Sequence, residues 1–219
     1  MGYTFFFDDY LDDLLLKAKK EKKIKDFKTW NHLPMEIESE SLNKLDAVHQ
    51  GIKEYYEKRS DGFELEWWSN KEKSLGGRMN LAETEYLFAD MKAYYDEEIL
   101  SVHGEDLQYF QPFDYCSNES RCGFIIRPDS IEKSMYYKSI DDYELDYLDL
   151  DYYGYTQMAI EARVFYDWQV VLLYYMNGVG IGSVETETFK TEMPKIFPDW
   201  TWENFIAKFE SLRLSNKNK

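Results

Sequence analysis

The chain has 219 residues, of which 44% are hydrophobic and 18% aromatic, enough apolar surface to bury a sizeable core and too much for a disordered chain. A formal charge of −16 argues against nucleic acid as a partner, because phosphates are held by lysine and arginine. No run approaches the roughly 20 apolar residues of a membrane-spanning helix, and MGYTFFFDDYLDD at the start has acids where a secretion signal needs bases, so a cytoplasmic protein without a membrane partner is expected.

The acidic excess is unevenly placed. Residues 82–161 hold 19 acids and 5 bases, a net −14, whereas the other 139 residues hold 23 acids and 21 bases, a net −2. Such asymmetry draws in cationic partners and speeds their association at low salt.

In chain order, Phe7, Tyr10, Leu11, Leu14 and Leu15 recur at helical spacing and predict an amphipathic helix over 5–28. Asp8, Asp9, Asp12 and Asp13 fill its first turns and seven lysines from Lys17 to Lys28 its later part, a polarity that suits the helix dipole. A second helix is predicted over 41–58, ended by SDG (60–62). FELEWW (63–68) alternates Phe63, Leu65 and Trp67 with Glu64 and Glu66, the pattern of a half-buried strand. GGRMNLA (76–82) predicts another strand, and a helix over 83–98 follows with Leu87, Met91, Tyr94 and Tyr95 inside. YFQPFDY (109–115), CGFIIR (122–127), SMYYK (134–138) and YELDYLDL (143–150) predict four further strands. Helices are predicted within 152–177 and over 201–213, where Trp202, Phe205, Ile206, Phe209 and Leu212 form one stripe. Helices first, strands in the middle and helices last give an α+β fold, a central, largely antiparallel sheet flanked by N- and C-terminal helices.

Catalytic and metal motifs are sparse. LDYLDLDYYG (145–154) has the first, third and sixth residues of a calcium loop in Asp149, Asp151 and Gly154, but Tyr153 and Ile160 stand where the fifth and twelfth ligands belong. No metal is expected there; the segment reads as a strand whose Asp151 caps the next helix. Cys116 and Cys122 match neither a redox nor a zinc spacing and read as buried thiols. His32, His49 and His103 lack motif neighbours, and GVGIG (178–182) reads as a turn rather than a dinucleotide loop. No catalytic residue and no cofactor is assigned. Trp68 falls on the strand face of Glu64 and Glu66, and an outward tryptophan beside acids fits an interface anchor.

The order of several segments is similar to a known family. IKEYY (52–56) before SDGFELEWW (60–68) resembles the helix-to-strand entry of the SUKH superfamily, and GGRMNLAETEYLF (76–88) resembles its glycine, strand and helix passage. PFDY (112–115), CGFII (122–126), MYY (135–137), LDLDYYGYTQMAIEARVFYDWQ (148–169) and FPDWTWENFIAKFESLRLS (197–215) follow in the order of its bacterial members. A departure is His49-Gln50-Gly51 where the family carries Leu-Pro; the nearest such pair is Leu33-Pro34. On this reading residues 1–219 form a single SUKH-like domain, with 40–215 the matching part and 1–39 an N-terminal helical extension. The resemblance implies protein binding rather than catalysis, as in bacterial immunity proteins that neutralise a polymorphic toxin, often a nuclease, or in fungal regulators of glucan synthesis.

The expected function is therefore a non-enzymatic immunity protein that docks a basic toxin domain through an acidic surface. The residues assigned to that surface are Trp68, Glu97, Glu98, Glu105, Asp106, Asp141, Asp142, Glu144 and Asp146, with Glu97 and Glu98 expected at a helix C-terminus. A regulatory or scaffold module of the same fold is the alternative, and a carboxylate-dependent enzyme acting on glycans a more remote one.

Overall fold

A computed structural model describes residues 7–31, 39–58, 62–88, 91, 95–178 and 182–217. Leu33-Pro34, His32, Tyr94, the first two residues of SDG and the middle of GVGIG lie outside them. The fold is α+β, with seven strands forming one sheet in sequence order. The strands are β1 (Asp26–Asn31), β2 (Phe63–Trp68), β3 (Gly76–Leu81), β4 (Phe110–Asp114), β5 (Ser120–Ile125), β6 (Ser134–Ser139) and β7 (Asp146–Asp151). From β3 onward each strand pairs antiparallel with the next. Helices α1 (Phe7–Lys20), α2 (Ser39–Val48) and α3 (Gln50–Lys58) come early, α4 (Thr84–Leu87) and α5 (Glu97–His103) lie between β3 and β4, and α6 (Tyr152–Glu161) to α10 (Leu214–Lys217) close the chain.

Two compact units interleave along the sequence: the first draws on residues 1–29, 65–78 and 153–219, the second on 30–64 and 79–152. Aromatic rings fill the first. Trp67 meets Phe197 at 5.4 Å and Phe165 at 6.1 Å, and Phe189 stacks on Phe165, Trp200 and Phe205 at 5.4, 5.0 and 4.9 Å. All of these but the tilted Trp67–Phe165 pair are edge-on, a geometry that adds to the burial energy. In the second unit Phe113 meets Phe124 and Tyr152 at 5.8 and 5.6 Å, and the Tyr56 hydroxyl donates to the carbonyl of Ala82.

The alternation in FELEWW holds: Phe63, Leu65 and Trp67 are fully buried and the residues between them half-buried. Trp168 and Phe205 are buried in helices α7 (Trp168–Asn177) and α9 (Trp202–Leu212), and both cysteines are buried free thiols.

Four helix expectations change. The helix expected over 5–28 ends at Lys20, and after a left-handed Lys22 (φ 62°) the chain enters β1, where the Lys25 N–H reaches the Trp68 carbonyl at 2.7 Å. An available strand edge outweighs the helix propensity of a lysine run. The helix over 41–58 is two helices, because the His49 ring nitrogen accepts the Gly51 N–H at 3.0 Å and restarts the chain as α3. The helix over 83–98 stops at Leu87, and a new one starts where Asp96 caps Ile99 at 2.9 Å. Helix α8 (Ser183–Ile196) was not expected at all. Its buried Phe189, Met193 and Ile196 are diluted by threonine and glutamate and accompanied by Pro194.

Near α1 the burial carries a charge cost. Asp12 stands among Asp8, Asp9 and Asp13, and burial first, then repulsion from Asp8 and Asp9, pushes its pKa from 3.8 to about 6 against an opposing hydrogen bond with Thr29. An acid whose pKa rises on folding binds its proton more tightly when folded. Its ionised form therefore destabilises the fold above about pH 6, and that penalty disappears below about pH 4.

Two outcomes are expected from denaturant unfolding. Trp67→Ala should cost about 3–5 kcal/mol through lost burial and a residual cavity; a loss under 1 kcal/mol would contradict the packing described. Asp12→Asn should unfold at higher denaturant than the parent at pH 7, and the gap should close as the pH falls to 4.

Candidate functional site

The assigned acids come from two stretches of the second unit. The first is α5, whose start at Asp96 corrects the expected position of Glu97 and Glu98. They occupy the first turn, where the helix dipole favours acids, and not the last turn, where it would oppose them. They therefore carry no stability cost that needs an outside gain to explain it. Helix α5 buries none of its residues, so both glutamates face solvent. Glu105 and Asp106 follow in a 3-10 turn, Glu105–Tyr109. Glu105 is exposed, but Asp106 accepts from Arg127 Nε at 3.1 Å and Nη2 at 2.7 Å, and Arg127 also reaches Glu132 at 2.6 Å. That network neutralises Asp106 and ties the turn to the segment after β5.

The second stretch joins β6 to β7. Strand β7 starts at Asp146, so Asp141, Asp142 and Glu144 lie in the preceding loop. Asp141 and Glu144 are exposed, while Asp142 accepts the Glu144 N–H at 3.0 Å and shapes the turn. Asp146 is half-buried, and desolvation first, then Glu144 and Asp142, raises its pKa.

One ring joins the stretches. Tyr143 lies 5.0 Å from the ring of His103, the last residue of α5, and 6.4 Å from that of Tyr95 just before α5. The end of α5 thus lies against the loop before β7, some forty positions further on. Among the described residues, Glu97, Glu98, Glu105, Asp141, Glu144 and Asp146 make no ion pair.

Trp68 belongs to the first unit and is half-buried. Its ring packs against Tyr166 at 5.3 Å, with the Lys73 ammonium 5.6 Å from its centroid. Contacts within its own unit therefore account for its place on the strand.

The aspartates of LDYLDLDYYG form a strand running directly into α6. Between Ser134 and Tyr136 on β6 the pairing with β7 shifts register, and Asp149 takes a left-handed backbone, φ 58°. This bulge buries Leu148, Asp149 and Leu150 in succession, and Asp149 accepts the Tyr147 hydroxyl at 3.2 Å. A bulge spends one residue outside the ladder and re-aims its neighbours. Among the described residues no group of three or more His, Cys, Asp or Glu side chains is arranged to hold a metal ion, and no helix is long and apolar enough to cross a membrane.

Two features of this unit escaped the sequence reading. The Tyr95–Tyr143–His103 cluster joins residues that no motif connects. Arg121 and Lys138 face each other across β5 and β6, a pairing that only the strand register reveals. Comparison of the chain with family models, with curated proteins and with solved structures finds no match in any of the three.

Proposed function

We propose that the chain is a non-enzymatic protein-binding module of the immunity type, which docks a basic partner, a toxin domain, on the acidic face around Tyr143. The observation that carries this reading is the contact between the end of α5 and the loop before β7, which brings two acidic stretches into neighbouring elements; among the described residues Glu97, Glu98, Glu105, Asp141, Glu144 and Asp146 have no ion pair. Repulsion among them is unfavourable in the free protein, and a cationic surface relieves it. A nuclease must be basic to hold phosphate, so an acidic protein can occupy the same surface. The order of segments similar to SUKH immunity proteins agrees with this reading and rests on different residues.

Asp146 gives the interaction a pH sign. Its carboxyl is held above the ordinary range by burial, Glu144 and Asp142, and an approaching cation lowers it again. Protonation removes the charge that the partner needs, so affinity should fall as the pH drops through the raised range.

The test is a search of the neighbouring genes for a basic protein, then association kinetics with it and growth rescue on co-expression. Charge reversal at Glu97, Glu98 and Glu105, or at Asp141 and Glu144, should slow association about tenfold or more at low salt and flatten its salt dependence; the second set should leave unfolding unchanged, while the first costs about 1 kcal/mol at the start of α5. Binding indifferent to salt and to both reversals would reduce the acidic face to a solubility feature. Growth rescue without a detectable complex would remove the docking mechanism.

A further inference from the structure

The first unit holds a pocket of about 670 Å³, within the range of small-molecule sites. Tyr10, Leu14 and Ala18 recur at helical spacing along α1 and line one wall. Phe197 and Pro198, just after α8, complete the apolar part. The charged part is balanced: Lys17, Lys23 and Arg163 are positive, and Asp13, Glu21 and Asp199 negative. A bare anion or a bare cation would therefore meet repulsion as well as attraction.

Arg163 is the fixed point of the pocket. Its side chain is 9% exposed, and Nη1 donates to the carbonyls of Ile160 at 2.7 Å and Glu161 at 3.2 Å. Those bonds close the end of α6, where a cation suits the helix dipole. They use one of the three guanidinium nitrogens. A guanidinium has five donors, and among the described residues the Nε–H finds no acceptor. Nη2 lies 3.7 Å from an Asp199 oxygen, too far for a hydrogen bond. Asp199 is 76% exposed, so its carboxylate has room for a second partner. A buried charge with open donors is costly, and closing α6 does not account for them. Glu21 and Lys23, by contrast, pair closely at 2.7 Å. That hydrogen bond above all holds the Glu21 carboxyl below its ordinary range, with Lys17 adding and Asp199 opposing. Charges on both walls of the pocket thus act on one another.

We propose that this pocket binds a free α-amino acid with a large apolar side chain. Its carboxylate sits against Arg163 Nη2, its ammonium against Asp199, and its side chain among Tyr10, Leu14 and Phe197. Such a ligand carries both charges on one carbon, so it bridges the loose Arg163–Asp199 pair with each charge against its opposite. The site lies in the first unit and is independent of the docking face, which belongs to the second.

The probe is L-phenylalanine, titrated by calorimetry into the full chain, where it should saturate a single site. L-Phenylalaninamide lacks the carboxylate and N-acetyl-L-phenylalanine lacks the ammonium. Each should bind about tenfold more weakly, the loss of one charge-assisted hydrogen bond. Asp199→Asn should erase the discrimination against the acetylated compound and keep that against the amide, with thermal unfolding near the parent's. Arg163→Gln should erase the discrimination against the amide where it folds; if the loss of its α6 contacts unfolds it, Asp199→Asn decides alone. Absence of saturable binding, or discrimination unchanged in Asp199→Asn, would overturn the proposal. Binding of either derivative as tight as that of phenylalanine would overturn it too, since the pocket would then read a single charge.

Discussion

The indole of Trp67 donates to the carbonyl of Arg163 at 2.7 Å, and much of the first unit is arranged so that this bond can exist. A tryptophan buried without a partner for its N–H loses about 1–3 kcal/mol to desolvation. To present that carbonyl the chain leaves α6 through Arg163 and Val164, both left-handed at φ 54° and 47°. A β-branched valine in that region is strained by about 1–2 kcal/mol. Regular pairing offsets it: the Val164 carbonyl accepts the Arg78 N–H at 2.8 Å, and Phe165 bridges Gly77. The same close approach fixes the residue at position 77, where a Cβ would collide with the Val164 carbonyl and the Trp67 indole. Gly77, the second residue of β3, is therefore a steric requirement of the Trp67 site.

This dependence explains which parts of the fold the sequence revealed. Strands with one buried face show themselves through alternation, as in Phe63, Leu65 and Trp67, because the period of two is local. Strand β1 did not, since DFKTWN is short and polar and becomes a strand only when β2 offers its edge. The divided helices failed for a different reason. At His49 and at Asp96 a side chain satisfies a backbone N–H and restarts a helix, and periodicity carries no information about such caps when both sides share an apolar stripe. The bulge at Asp149 likewise buries three consecutive residues that alternation would place on opposite faces.

For the candidate site, charge was legible and geometry was not. The confinement of the acidic excess to 82–161 follows from counting alone, but a count cannot separate an acid held by Arg127 from one left to solvent. Asp106 and Glu105 are neighbours in sequence with opposite fates. Trp68 shows the same limit for aromatics. Its place on the strand follows from alternation, whereas Tyr166, nearly a hundred residues away, decides what covers its ring.

The division of labour in the second unit follows from where its charges stand. Glu97 and Glu98 lie on a helix that buries nothing, and Asp141 and Glu144 on the loop before β7. Little core packing depends on these positions, so their charges can change without removing buried apolar surface. Arg121 and Lys138 stand on paired central strands, anchored through carbonyls of their own turns. Those charges cannot move without disturbing β5 and β6. Exposed acids on elements that bury little therefore stand in the same unit as two cations fixed on the sheet, and substituting the first disturbs less packing than substituting the second.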